Sequence, residues 1–258
     1  MLKVTVLGCG SSGGVPVIGC KCPVCISPNP KNKRTRASIL IESQGTTILV
    51  DTSPDMRMQC LANNIGKVDA IIYTHAHADH LHGIDDVRSF NFAKNAPVDT
   101  YCDEETLEVL KKRFDYVFFP PKPADTGWYR PCLNPILVKP FTAFTIGAIE
   151  ILPFTQQHGQ GKTIGLRISN FAYSTDTNGL PEESLAALAG IDAWIVDCLS
   201  YVPMPTHAHL AMTLGWIERI KPKRAYLTHL NHEFDYETFA RELPANAFPA
   251  YDGLVVEV

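Results

Sequence analysis

No stretch of this chain approaches the about 20 consecutive apolar residues that a membrane-spanning helix requires. The opening Met1-Leu2-Lys3-Val4-Thr5-Val6-Leu7 meets a glycine too soon for the apolar core of a signal peptide. Basic charge is not in excess either. Lys and Arg total 23 against 27 Asp and Glu, a formal net charge of -4, so the global basic footprint of a nucleic-acid binder is missing. Internal repeats at solenoid spacing and low-complexity tracts are absent. Of eight cysteines, Cys9, Cys60, Cys102, Cys132 and Cys198 are dispersed in mostly apolar contexts and read as small buried hydrophobes. With 258 residues, 45% of them hydrophobic, the chain can bury one large core. These exclusions lead to the expectation of a soluble cytoplasmic protein with no membrane partner.

Histidine is sparse, nine in all, yet three fall within six positions in Thr74-His75-Ala76-His77-Ala78-Asp79-His80. The run follows Ala70-Ile71-Ile72-Tyr73, which reads as a buried strand. His75 and His77 then share one side of an extended chain, and Asp79 and His80 follow where the chain must turn. Such an arrangement can serve two adjacent metal ions, imidazole suiting zinc, iron or manganese and carboxylate the harder ions. Further ligand-type residues close other apolar runs: His158 lies just past Ile149-Glu150-Ile151-Leu152-Pro153-Phe154, Asp176 ends Phe171-Ala172-Tyr173-Ser174-Thr175, and His229 ends Ala225-Tyr226-Leu227-Thr228. Singly, each would read as a core histidine or a turn aspartate. Four such strand ends in one chain point to a metal centre.

The HAHADH run, His158, Asp176 in STD and His229 in THLNH resemble the metallo-β-lactamase fold superfamily of hydrolases along nearly the whole chain. More narrowly, GCGSSGGVPVIGCKCPVC at the start and THLNHEFD near the end resemble the cyclic-phosphate phosphodiesterases of the carbon–phosphorus lyase pathway. Transfer RNA 3′-processing endonucleases are a more distant branch. The resemblance implies an α/β, four-layer αβ/βα sandwich, two mixed sheets with helices on the outer faces, as one domain over 1–258. It implies His75, His77 and His158 on a first metal, Asp79, His80 and His229 on a second, and Asp176 bridging both. It is also compatible with a homodimer.

Cys20-Lys21-Cys22-Pro23-Val24-Cys25 is a second, independent constellation, three thiolates in a short loop at about 19–26. A fourth ligand would close a structural zinc site, since soft thiolates select zinc; the narrow resemblance suggests His232. A disulfide framework is disfavoured by the missing signal peptide, and a redox pair by Pro28 and Pro30 where a helix would have to follow.

Strand-like runs recur at 3–7, 37–42, 47–51, 70–74, 98–101, 136–138, 149–154, 164–169, 171–175, 193–197, 224–228 and 254–258. Helical patterns appear at 55–64, 83–92, 104–114, 181–188, 210–220 and 236–243. A proline-rich excursion from Phe119 to Pro140 is a substrate-facing loop or a structural connector. Gly8-Cys9-Gly10-Ser11-Ser12-Gly13 matches the dinucleotide fingerprint, but no helix follows to seat a pyrophosphate. It reads as a tight turn that lets backbone pass close to the site. The basic run Lys31-Asn32-Lys33-Arg34-Thr35-Arg36 reads as a solvated loop in preference to a phosphate or RNA attractor.

The expected function is a metal-dependent phosphodiesterase acting on small nucleotide or sugar phosphodiesters, cyclic ones included, with no nucleic-acid partner beyond nucleotides. Two active-site metals (zinc or manganese, or iron) would hold a bridging hydroxide that hydrogen-bonds Asp79 and attacks phosphorus. His207 is the expected proton donor to the leaving group and a substrate contact, although His209 stands where the resemblance leads one to expect aspartate. Arg88 is a candidate phosphate contact, and His82 has no assigned role. Lactone or thioester hydrolysis, a transfer RNA-processing-like nuclease and a non-catalytic carrier are the alternatives.

Overall fold

Strands apolar on both faces dictate the layering of this molecule. The computed structural model describes residues 1–120 and 128–258. One sheet comprises β1 (Lys3–Gly8), β2 (Ser38–Ser43), β3 (Thr46–Val50), β4 (Ala70–Ile72), β5 (Val98–Cys102), β6 (Leu133–Leu137) and the late strand β14 (Val255–Glu257), in the order β14-β1-β2-β3-β4-β5-β6. The other comprises β7 (Phe144–Ile146), β8 (Ile149–His158), β9 (Gly161–Ile168), β10 (Phe171–Ser174), β11 (Ala193–Asp197), β12 (Arg224–Thr228) and β13 (Ala247–Pro249), in the order β13-β12-β11-β10-β9-β8-β7. Each sheet is antiparallel on one side and parallel on the other, β3 to β6 and β10 to β13 running parallel.

Alternation along the strands feeds three cores. Ile39, Ile41, Ile48, Val50 and Ile72 face Leu166, Tyr173 and Ile195 between the sheets. Leu40, Leu49 and Ile71 turn outward to meet Met56, Phe90 and Leu110 of α2 (Met56–Ala62), α4 (Arg88–Lys94) and α5 (Glu104–Arg113). Trp194, Val196 and Leu227 turn outward on the other side to meet Ile217 and Phe239 of α7 (Leu210–Ile220) and α8 (Tyr236–Glu242), with α6 (Glu182–Ala187) alongside. Each aliphatic side chain so buried contributes about 1.5–3 kcal/mol relative to exposure. The result is the expected αβ/βα sandwich of two mixed sheets with helices outside. Two short helices, α1 (Pro23–Ile26) and α3 (Ala78–Leu81), complete the set. Among the described residues no helix is long and apolar enough to cross a membrane.

Departures from the expected elements concentrate at sheet edges. β7 and β13 have no counterpart in the sequence reading, and β6 begins at Leu133, ahead of the expected 136–138. β6, β7 and β13 are all edge strands; Pro135 and Pro249, which argue against a strand, are tolerated where one side needs no partner. The pattern at 83–92 resolves into a 3₁₀ turn, Ile84–Val87, followed by α4. β8 runs on to His158 because β9 pairs with it to its end, His158 opposite Gly161.

Candidate metal centres

The carboxyl ends of the parallel strands converge along one edge of the two sheets, where ligands of open α/β sheets characteristically bind. β4 leads into Thr74, His75 and His77; α3 carries Asp79 and His80 in its single turn. β8 ends at His158, β10 leads into Asp176 and β12 into His229. Asp176 and His229 hold left-handed backbone (φ +49° and +58°), as does Asp51 past β3 (φ +64°). Left-handed geometry at a strand end turns the chain sharply, and Asp and His are among the few side chains enriched there.

Two donor sets result. In the first, His75 Nε2 and His158 Nε2 lie 3.6 and 3.9 Å from Asp176 Oδ2, and His158 Nε2 lies 3.1 Å from His77 Nδ1. In the second, His80 Nε2 and His229 Nε2 lie 3.1 and 3.4 Å from Asp176 Oδ1, and each is 3.5 Å from Asp79 Oδ2. The two oxygens of Asp176 thus face different sets. Ligands at zinc distances stand about 3.3–3.6 Å apart around a tetrahedron, so these separations suit a cation in each set. His75 Nε2, His80 Nε2 and both ring nitrogens of His229 are buried without a hydrogen-bond partner. Buried polar atoms are seldom left so; cation binding accounts for them. His77 stays exposed at the mouth.

Oxygen acceptors fix the rings from behind. Nδ1 of His80 lies 2.7 Å from Asp51 Oδ2, Nδ1 of His158 2.6 Å from the Thr206 carbonyl, and Nδ1 of His75 3.0 Å from Thr74 Oγ1. Asp51 also accepts from Thr74 N and Oγ1, both at 2.8 Å. Such partners select the tautomer that offers Nε2 to a metal. Asp51 escaped the sequence reading although it carries the same signature, a polar residue closing the apolar run of β3. Asp197, closing β11, escaped in the same way.

Buried carboxylates and imidazoles shift one another's proton affinity in this centre. Burial, then the His80 charge, holds His75 well below the ordinary histidine range, and burial lowers His158. Burial also opposes a proton on His80 and His229. Asp176 and Asp51 nevertheless raise His80 well above its usual value, and Asp176 and Asp79 raise His229 to about 9. Burial would raise Asp79 and Asp176, but the imidazoles prevail and both carboxyls sit well below the usual range. Cations entering these sets release protons, which makes their affinity pH-dependent.

Beside the second set stands His207. Its ring stacks on His229 with centroids 4.5 Å apart, Nε2 lies 3.9 Å from Asp176 Oδ2, and Nδ1 lies 3.0 Å from Asp197 Oδ2. Asp197 in turn accepts from Thr177 N at 2.8 Å. His209 joins no donor cluster among the described residues; it precedes α7, and its buried Nδ1 has no partner. Arg88, at the start of α4, is exposed and its Nη1 sits 3.4 Å from the Tyr129 carbonyl. His82 packs edge-on against Phe114. Of the Phe119–Pro140 excursion, 121–127 lie outside the described residues. Arg130 donates to the carbonyls of Tyr116, Phe119 and Pro120 at 2.8–2.9 Å, a connector's contacts.

The cysteine loop forms its own cluster. Sγ of Cys20 and of Cys22 each lie 3.4 Å from His232 Nδ1, and Cys25 completes a four-donor group. Zinc–sulfur and zinc–nitrogen lengths place such atoms about 3.5 Å apart on a tetrahedron, so this group also fits its metal. Hydrogen bonds from Cys25 N and His232 lower the Cys22 thiol to about 6, while burial raises Cys25 to about 11. All eight cysteines are free, and the five dispersed ones are buried. The glycine-rich turn behaves as read: a Cβ on Gly8 or Gly10 would meet the Arg36 or Arg34 carbonyl at 2.1 or 2.8 Å. Gly10 also bridges to Leu230, next to His229.

Residues 46–230 match the Beta-lactamase superfamily domain. A crystal structure described as a new diphosphatase from the PhnP family superposes with a TM-score of 0.92 at 37% identity, covering 100% of this chain and 98% of that one. Zinc-bound PqqB from Methylobacterium extorquens shares the fold, with a TM-score of 0.80 at 20% identity over 99% of this chain and all of the other. In sequence, an octanoyltransferase of Porphyromonas gingivalis is 32% identical over 257 residues, 98% of this chain and 51% of that protein. The chain therefore spans about half the length of that relative.

Proposed function

The chain belongs to the beta-lactamase superfamily, a metal-dependent hydrolase fold close to the PhnP family, and from that premise we propose a phosphodiesterase acting on small nucleotide or sugar phosphodiesters, cyclic ones included. The observation that carries the reading is Asp176, whose two oxygens face separate and complete donor sets. The first set is His75, His77 and His158; the second is Asp79, His80 and His229; Asp176 serves both. Cys20, Cys22, Cys25 and His232 would hold a structural zinc. The mixed imidazole and carboxylate sets suit zinc, manganese or iron.

Two cations so held would supply Lewis acidity to the phosphoryl oxygens and to the attacking water. The residues of the chain do the rest. Asp79 stays ionised, for the reasons given, and accepts a hydrogen bond from the attacking water, whose proton passes to solvent. His207 donates from Nε2 to the departing oxygen while Asp197 accepts its Nδ1–H and keeps the ring aimed. An alkoxide leaving group needs that donor; a stacked, carboxylate-held imidazole 3.9 Å from Asp176 Oδ2 suits it.

A second reading, thioester or lactone hydrolysis, draws support from the relative named octanoyltransferase, an acyl-transfer activity. The deciding experiment sets bis(p-nitrophenyl) phosphate beside a thioester and a lactone, with metals counted in the same preparation. The phosphodiesterase reading expects phosphodiester turnover with about three metals per chain. Turnover of the carbonyl substrates alone selects the second reading, and none at full loading leaves a carrier.

A further inference from the structure

The basic run Lys31-Asn32-Lys33-Arg34-Thr35-Arg36 is not the solvated loop its composition suggests; it turns inward. Arg34 is 2% exposed and Asn32 fully buried. Lys31 lies over the rings of Tyr236 and Tyr251, Lys33 donates to the Cys25 carbonyl at 2.9 Å, Thr35 to Asp252, and Arg36 pairs with Asp55. Arg34 is the exceptional member. A buried guanidinium is ordinarily paired with an acid, but among the described residues no carboxylate lies within ion-pair distance of it.

Its Nη donors go to backbone and an amide instead, while the buried Nε has no partner. Nη2 donates to the Phe234 carbonyl at 2.7 Å and to Asn32 Oδ1 at 3.2 Å, and Nη1 donates to the Asn231 carbonyl at 3.2 Å. Asn32 extends the grip, accepting from Tyr236 N at 2.8 Å and donating to Asp235 Oδ2 at 2.7 Å. The gripped carbonyls flank His232, and His229 lies two residues before the first of them. The backbone of Arg34 meanwhile pairs both ways with Val15, the stalk of the cysteine loop, at 2.7 and 2.8 Å. One residue thus holds the base of the thiolate loop and the short segment that reaches both centres.

We propose that Arg34 is a positioning residue that couples the two centres: it fixes the 229–234 segment so that filling the thiolate site tightens the second cation position, at His229. Charge-assisted bonds to carbonyls hold backbone more firmly than neutral ones, and partners behind metal ligands commonly change affinity about 10- to 100-fold. By thermodynamic reciprocity the coupling runs both ways. The proposal rests on the ligand sets assigned above.

A double-mutant cycle on the full chain tests it. Chelator-stripped protein is titrated with cobalt(II); thiolate-to-cobalt absorption reads the cysteine site, and equilibrium dialysis with metal counting reads the other two. Arg34→Lys should raise the cobalt concentration for half-filling of both the thiolate site and the His229 position about 10-fold or more. Cys22→Ser should weaken the His229 position in the wild type but add nothing in the Arg34→Lys background. Unchanged affinities, or additive effects, overturn the coupling. If Arg34→Lys loses its circular dichroism, Asn32→Ala removes one of the same acceptors and repeats the cycle with a smaller expected shift. A wild type lacking thiolate–cobalt bands overturns the ligand sets and the coupling with them; bands with additive variants overturn the coupling alone.

Discussion

The two candidate metal centres are built in opposite ways. The thiolate site takes three donors from a six-residue loop, and its sulfurs accept from neighbouring backbone: Cys25 N and Cys22 Sγ lie 3.4 Å apart, Val17 N and Cys25 Sγ 3.3 Å. Its apolar support is small, Val15 and Val24 with Cys25. The larger centre gathers donors between His75 and His229 from both sheets, and the groups that aim His80 and His158, Asp51 and Thr206, lie 29 and 48 residues away in sequence. A loop of this kind is organised chiefly by its metal. The other centre is organised by the packing of two sheets, before any metal arrives. Perturbing the thiolate site should therefore report first on the local fold, and perturbing the larger centre first on chemistry.

The largest effect expected is from Asp176→Ala, which removes the shared carboxylate. Both cations of the larger centre and turnover should be lost, by more than the about 100-fold that a supporting contact costs, while metal counting still finds the thiolate zinc. Loss of all three together would erase the distinction between the centres. Next comes His207→Ala, expected to lower kcat about 10²- to 10⁴-fold with full metal content. The loss should shrink with p-nitrophenolate as leaving group, which needs no proton; an equal loss with both leaving groups would remove His207 as the acid.

How much of this was legible beforehand follows the same division. The cysteine loop and HAHADH could be read because their donors are adjacent. His158, Asp176 and His229 were legible as strand ends, and the order of motifs tied them together. Asp51 and Asp197 show the same strand-end signature yet were passed over, because a carboxylate that supports an imidazole from behind leaves no separate mark on sequence. The inward turn of residues 31–36 was misread for a different reason. Composition reports charge but not that carbonyls of a loop two hundred residues away will satisfy it.

Smaller effects sharpen the picture. Asp51→Asn keeps an acceptor for the His80 ring but not its charge, and should weaken cation binding at the second position about 10- to 100-fold, read by equilibrium dialysis. Confined to folding is Asp252, which accepts from Cys9 N and from Thr35 N and Oγ1. Burial, outweighing those bonds, raises its carboxyl from 3.8 to about 6. The folded chain thus holds this proton more tightly than the unfolded one. The contribution is complete below pH 3.8 and is lost as pH rises through about 6. It amounts to no more than about 3 kcal/mol. Asp252→Asn should flatten that slope in urea unfolding between pH 4 and 7 at constant metal loading; a variant with the wild-type slope would assign it elsewhere.

Left-handed backbone at Asp51, Asp176 and His229 restricts how this chain can change by substitution. Each position passes two filters, one for donor chemistry and one for a conformation that costs most L-residues about 1–2 kcal/mol. Glutamate meets the first and strains against the second. Asparagine and glycine meet the second and weaken or abolish the first. A lineage released from selection for turnover would therefore reach Asn or Gly at these three strand ends with its sheets still packed. Silent members of such a fold should be sought by those letters there, before any sign of an eroded core.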